Sequence, residues 1–226
     1  MNLAKPRVDI GLNTNNLDAM LAFWQSQAGV PFDHLLSIRK GLKQYRHDAL
    51  GSVIKINHHR ELLPITAPSG YVELLIAREG LSLPKTLRDP DGNAVTLVPA
   101  GMFGIRQIGI RLNVRNLAAH SRFYSEGLGL VPQASGSAFH AGETLLLLEQ
   151  SPDAPRNGTM DGKGWRYITF QVFKTDEEHS RILAGGGREA MKPTTLGTTA
   201  RISMVRDPDG NWIEISQRAS ITGSLD

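Results

Sequence analysis

Apolar and polar residues alternate in short stretches along most of the chain. Val8, Ile10 and Leu12 alternate with Asp9, Gly11 and Asn13; Ile108, Ile110, Leu112 and Val114 alternate with Gly109, Arg111 and Asn113. A period of two marks a strand with one buried face. Each of these strands runs into a helical pattern. Leu17, Met20, Leu21 and Trp24 share a helix face, with Asn15 or Asn16 as N-cap and Gly29 beyond the end. Asn116 caps a second, weaker helix that reaches about Glu126. Further strands are expected near 43–46, 52–57, 136–140 and 144–149. Residues 71–76 and 167–173 each open a new unit with a tyrosine. After the latter, Thr175 and Glu178 make a T-x-x-E capping box and Gly185 suits a helix end. Residues 200–205 and 212–216 are the last two strands.

The pattern repeats. Leu12, Asn13, Asn16, Leu17, Phe23 and Gly29 return as Leu112, Asn113, Asn116, Leu117, Phe123 and Gly129, one hundred residues on. R-D-P-D-G-N occurs at 88–93 and again at 206–211. In it Pro presets φ and Gly supplies φ > 0, so each copy predicts a hairpin turn. A duplicated unit follows. The expected fold class is α+β: βαβββ units, four in all, forming two cup-shaped mixed sheets. The second unit is truncated, because too few residues separate 76 from the turn at 88 to hold both a helix and a strand. The expected organisation is a shortened N-terminal half over 1–100, a linker at 99–104, a C-terminal half over 105–217 and a tail over 218–226.

Composition narrows the function classes. The chain has 226 residues with 40% hydrophobic and 21% charged, as expected of a globular protein rather than a disordered one. A net charge of +3 without a Lys/Arg block argues against nucleic acid. No apolar run is long enough to span a membrane, and residues 1–7 lack a signal-peptide core. The absence of cysteine removes disulfides, thiolate ligands and cysteine nucleophiles. A cytoplasmic protein, monomeric or homodimeric, acting on a small molecule is the expectation.

Period-two reading sorts the side chains onto two faces. Ile110, Leu112, Ile168, Phe170, Val172, Ile213 and Ile215 are expected against the helices. Arg111, Asn113, Tyr167, Thr169, Gln171, Trp212, Glu214 and Ser216 are expected in the cup, a polar face suited to a ligand. Arg201, also on an expected cup strand, would receive a carboxylate or phosphate. His120 and His179, on helix faces, are expected at the surface. His58 and His59 end a strand and point to opposite faces. His140, near Glu143 and Glu149, is the one stray metal-ligand candidate among the histidines.

The residues 110–117, Phe123-Tyr124, 127–130, 167–172 and above all D-P-D-G-N-W-I-E-I at 207–215 resemble the vicinal oxygen chelate superfamily of glyoxalases, bleomycin-resistance proteins and extradiol dioxygenases. The resemblance implies a divalent metal in the cup, held by a His in the first strand, a His opening the second unit and a Glu in the last strand. Here the last position is Glu214, the second is Tyr167, and the first falls on Gly109, or on Gln107 two residues earlier. In the N-terminal half the matching residues are Asp9, Tyr71 and Thr96. Neither half carries the two-His, one-carboxylate set of non-haem iron. The leading expectation is therefore a lyase- or isomerase-like enzyme working in the C-terminal cup without a required cofactor. Glu214 would take a proton next to a carbonyl, with Tyr167 or Arg111 donating to the oxyanion, and Arg111, Asn113, Gln171, Arg201 and Trp212 would bind substrate. One alternative is a non-catalytic drug- or metabolite-binding protein. Another is a divalent-metal glyoxalase or dioxygenase using Gln107, His140, Glu149 and Glu214.

Overall fold

The computed structural model describes residues 1–225. The first unit contains β1 (Asp9–Thr14), α1 (Leu17–Ala22), β2 (Phe32–Arg39), β3 (Leu42–Ala49) and β4 (Ser52–His59). The second contains only β5 (Tyr71–Arg78), β6 (Lys85–Arg88) and β7 (Ala94–Pro99). The third contains β8 (Ile108–Val114), α2 (Leu117–Arg122), β9 (Val131–Pro132), β10 (Ala138–Ala141) and β11 (Thr144–Gln150). The fourth contains β12 (Gly164–Gln171), α3 (Thr175–Ala184), β13 (Arg188–Leu196), β14 (Ala200–Arg206) and β15 (Trp212–Arg218), followed by the short α4 (Ala219–Thr222). The class is α+β, with two curled mixed sheets, and the second unit lacks its helix. No helix among the described residues is long and apolar enough to cross a membrane.

The sheets do not follow the two halves of the chain. One runs β13-β14-β15-β12-β1-β4-β3-β2 and joins the first unit to the fourth; the other runs β6-β7-β5-β8-β11-β10-β9 and joins the second to the third. The join in each sheet is an antiparallel pair of unit-opening strands, β1 with β12 and β5 with β8. The expected C-terminal cup is corrected accordingly: the sheet that carries Glu214 takes half of its strands from the N-terminal half. A repeat specifies each unit, but the alternation of an opening strand does not say which other opening strand it will pair with.

One core serves both sheets. Ile10, Leu12, Ile54, Ile168, Phe170 and Ile213 of the first sheet share it with Leu74, Ile76, Ile108, Ile110 and Leu146 of the second. Met20, Phe23, Trp24, Phe123, Tyr124 and Ile182 fill it from the helical segments. In both copies the helix widens into a π-turn, with Ala28 N–H donating to Phe23 O and Leu128 N–H to Phe123 O. The caps differ between copies. Asn116 accepts from the Ala119 N–H at 2.9 Å, whereas Asn16, the N-cap of α1, makes no side-chain cap bond; Asn15 before it donates to His59 O at the end of β4 and to Glu61 O beyond. The T-x-x-E box does not form. Thr175 is already helical and donates to Arg201 O, while Glu178 accepts from Asn2 N–H and Arg181.

Both R-D-P-D-G-N segments close antiparallel hairpins, β6–β7 and β14–β15. Asp89 and Asp207 each accept two turn N–H groups and the Asn side chain that ends the motif. Gly92 and Gly210 sit at φ 88° and 92°, which a side chain would strain. The second turn is buried, and this corrects the expected position of His120. Its ring is enclosed, with Nε2 3.5 Å from both Asp207 and Asp209 and Nδ1 2.9 Å from Asn116 O. His179 is buried too, against Glu189, because α3 packs between β13–β15 and the π-turn after α2.

Burial opposes protonation of His120, but the contact with Asp207 and the charge of Asp209 outweigh it and raise its pKa above the ordinary imidazole value. A raised folded pKa stabilises fully below the unfolded pKa, about 6.5, and the gain is lost as pH rises through the folded value. Urea unfolding of wild type and His120→Gln should therefore show a wider stability gap at about pH 5.5 than at about pH 9. A gap independent of pH would mean that the His120 charge contributes nothing.

Candidate functional site

The polar face of the first sheet is built from cross-strand neighbours. Gly11 of β1 lies between Lys55 of β4 and Tyr167 of β12, and Arg46 of β3 lies beyond Lys55. One step along, Asp9 is level with Thr169, Thr169 with Glu214, and Glu214 with Met204. Five strands from both ends of the chain thus bring one titratable cluster together, with Met204 of β14 beside it.

Lys55 is its centre. The residue is 2% exposed, and its Nζ donates to Thr169 Oγ1 at 2.6 Å and to Glu214 Oε2 at 3.2 Å. Thr169 in turn donates to the same Oε2 at 3.3 Å. Burial pulls the Lys55 pKa below the ordinary lysine value, and the charges of Glu214 and Asp9 work against that shift. Asp9 is fully buried and accepts from Lys5 (2.6 Å), Val53 N–H (2.8 Å) and Gln171 (3.2 Å). Burial would raise the Asp9 pKa, but Lys5 and Lys55 overcome it and the net shift is downward.

Tyr167 lies flat over β1. A Cβ on residue 11 would come within 2.2 Å of its ring, so only glycine leaves room for it. The Lys55 Nζ is 5.3 Å from the ring centroid, a cation–π contact. The Tyr167 hydroxyl oxygen accepts from Asn57 Nδ2 at 3.2 Å and Gln44 Nε2 at 3.4 Å. With two amides donating to the oxygen, the hydroxyl hydrogen is left to donate elsewhere. Burial and the nearby Glu214 charge push the Tyr167 pKa upward, so the phenol stays protonated.

Lys55, Tyr167, Glu214, Asn57 and Gln44 open onto a cavity of about 480 Å³, within the size range of small-molecule sites. Leu36 and Ile38 form one wall, Leu196, Ile202 and Met204 the other, with Arg39, His59, Asp161 and Arg218 among its polar lining. β2, β13 and the stretch holding Met160 and Asp161 carry no strong alternation, and their part in the cavity was not legible in the sequence.

Of the expected site residues, Glu214 and Tyr167 meet at this cavity. Gln171 shares their face but lies deeper, donating to Asp9. Trp212 is also on that face but off the cavity, its ring 4.2 Å from the Arg206 guanidinium and its Nε1 donating to Gly158 O. Arg201 points to the opposite face and pairs with Asp176 of α3; its neighbours Ile202 and Ala200 take the cavity side. Arg111, Asn113 and Gln107 belong to the β8 region of the other sheet. There Arg111 pairs with Glu73 at 2.8 Å and Glu149 at 3.6 Å. The set Gln107, His140, Glu149 and Glu214 is therefore split between sheets and cannot share a metal. Sequence reasoning missed Lys55, Asn57, Gln44, Arg46 and Arg218. The available signal was a polar stripe, Lys55 and Asn57 set between Ile54 and Ile56, on a strand already expected.

The profile of the Glyoxalase/Bleomycin resistance protein/Dioxygenase superfamily matches residues 104–215. Residues 104–215 of the chain belong to this superfamily. Over its whole length it has the fold of glyoxalase I from Zea mays: the V278E mutant superposes with a TM-score of 0.76 at 13% identity, covering 100% of this chain and 95% of that one. A proposed dioxygenase from Bacillus subtilis gives a TM-score of 0.68 at 14% identity, covering 96% and 85%. No curated protein matches the sequence. Identities this low carry the fold alone.

Superfamily membership implies a metal, and these residues do not fit one. In the fourth unit Tyr167 is level with Trp212, and Glu214 stands two residues further on. In the first, Gly11 is level with Lys55, so Lys55 stands two residues beyond Asp9 in the same way. Lys55 is thus the counterpart of Glu214, and its ammonium sits against the oxygens of Thr169 and Glu214 that a metal would need. Among the described residues no three His, Asp or Glu side chains group to hold a metal ion. Lys55→Glu should create a site in which the introduced carboxylate joins those of Asp9 and Glu214. Equilibrium dialysis against Mn²⁺ should show binding by this variant and none by wild type. Stoichiometric Mn²⁺ on wild type, lost in Glu214→Gln, would refute the misfit.

Proposed function

We propose that the cavity is the active site of an enzyme that transfers a proton at a carbon next to a carbonyl, as a lyase or isomerase does, with Glu214 as the base. The asymmetry of the Glu214 carboxylate carries this reading. Its Oε2 is held by Lys55 and Thr169, while Oε1 accepts no hydrogen bond among the described residues and the side chain lines the cavity. One oxygen fixed and one free is the arrangement a positioned base requires.

Two donors stand beside it for the oxygen on which charge develops. The Tyr167 hydroxyl, oriented by Asn57 and Gln44, donates a hydrogen bond to the carbonyl oxygen. The Lys55 ammonium supplies positive charge in a water-poor setting, where it acts more strongly than in bulk solvent. After abstraction Glu214 holds the proton and can return it to a neighbouring carbon, or the enolate can expel a leaving group. No step passes through a metal.

Solvent exchange tests this without a known substrate. Small ketones and oxo acids are incubated with the protein in D₂O, and the α-proton signal is followed by NMR. Wild type should exchange the protons of a compound it binds. Glu214→Gln should slow exchange by about 10²-fold or more. Tyr167→Phe should slow it by about 10-fold to 10²-fold. Exchange at the wild-type rate in Glu214→Gln would exclude Glu214 as the base. Tight binding with no exchange in wild type would make the protein a binder instead.

A further inference from the structure

The charges around the cavity do not balance. Lys5 pairs with Asp9 and Lys55 pairs with Glu214, so each buried carboxylate already has its cation. Arg46 and Arg218 are left over, as is Arg39, which is unpaired among the described residues but exposed to solvent. Arg46 is 5% exposed; its side chain makes one hydrogen bond, to Gln44 Oε1, and its Nε is buried without a partner. Arg218 lines the cavity, makes no side-chain hydrogen bond or ion pair among the described residues, and also has a buried, unpartnered Nε. Burial and the repulsion of Arg46 pull its pKa down, and the more distant charges of Glu214 and Asp9 offset this only in part.

Charged groups withdrawn from water normally have a counter-charge, and one left without is costly. Asp161 is the other acid on the cavity wall, and it forms no ion pair with Arg218. β15 aligns Arg218 with Glu214, four residues apart on one strand and on one face. A ligand held at Arg218 would therefore extend along the sheet toward the carboxylate and Lys55. Leu36, Ile38, Leu196, Ile202 and Met204 give the cavity apolar walls on either side.

We propose that the cavity takes a small anionic substrate whose carboxylate or phosphate sits on the Arg218 guanidinium, with Arg46 adding positive charge behind it. Its apolar body lies against Leu36, Ile38, Leu196, Ile202 and Met204. The guanidinium offers paired N–H donors to either oxyanion. The proposal rests on this cavity being the substrate site and names the class of compound that enters it.

Calorimetric titration with benzoate, phenyl phosphate and the neutral benzamide tests it. Wild type should bind one of the two anions at least about tenfold more tightly than benzamide. A preference for benzoate assigns a carboxylate, and a preference for phenyl phosphate assigns a phosphate. Arg218→Gln should erase the advantage over benzamide, and Arg218→Lys should retain part of it. Arg218 is only partly exposed, and a thermal melt verifies that each variant folds. Glu214→Gln should keep anion binding, so loss of the proton-transfer reading leaves this result intact. Equal binding of benzoate and benzamide, no binding of either anion, or full affinity in Arg218→Gln would each overturn the proposal. Should Arg218→Gln not fold, the wild-type comparison of charged and neutral probes still decides.

Discussion

The buried contact between Lys55 and Glu214 is the constraint around which the first sheet is organised. An ammonium that is 2% exposed is tolerable only with a carboxylate beside it. The two residues lie on β4 and β15, separated in the sheet by β1 and β12. Their contact therefore requires all four strands in register. A slip of one residue would turn Lys55 or Glu214 into the apolar core. Gly11 answers to the same arrangement, because the Tyr167 ring covers the space that a side chain at that position would fill. Strands from opposite ends of the chain must meet before any part of the cluster exists.

The two sheets descend from one unit and use the same face in different ways. In the first sheet that face is polar and opens onto a cavity. In the second it is filled from within the chain. Met102 and Ile105, at the junction between the halves, pack on Leu75, Ala77, Val98, Leu145 and Leu147. Gly109 gives Ile105 its room, since a Cβ there would come within 2.7 Å of it. What polarity remains is satisfied internally: Thr96 donates to Glu73, and Glu73 pairs with Arg111. Thr96 and Glu214 occupy matching places after the two R-D-P-D-G-N turns, and they mark a plugged face and an open one.

How far this could be read from residues alone depends on how local each feature is. The hairpin turns and opening strands were legible because Pro, Asp, Gly and period-two alternation act within a few residues. Glu214 and Tyr167 were legible because they lie on strongly alternating strands close to a distinctive motif. Partnership between units was not, since Val8–Asn13 and Ile108–Asn113 alternate equally well and nothing local assigns one to β12 and the other to β5. Arg111 was misplaced for that reason, and Lys55 was missed. Arg201 failed through register: its strand was found, but the side chains facing the cavity are Ile202 and Met204. Arg218 was counted with the tail, although β15 runs through it and only then turns into α4.

Replacing a metal position by a lysine changes what the site can do. A divalent ion carries twice the charge and leaves open coordination positions for substrate oxygens. An ammonium carries one charge, directs it along fixed N–H bonds, and coordinates nothing. Two of the Lys55 bonds are already committed to Thr169 and Glu214. On the proposed reading the electrophile facing a substrate oxygen is then weaker, and the Tyr167 hydroxyl shares the task. That is consistent with the care taken over this hydroxyl: two amides, one from β3 and one from β4, donate to its oxygen. It also gives the surplus guanidiniums a physical role. When the central cation cannot anchor a ligand by chelation, binding energy must come from elsewhere on the ligand, and Arg218 is a partly buried cation within the cavity, unpaired among the described residues.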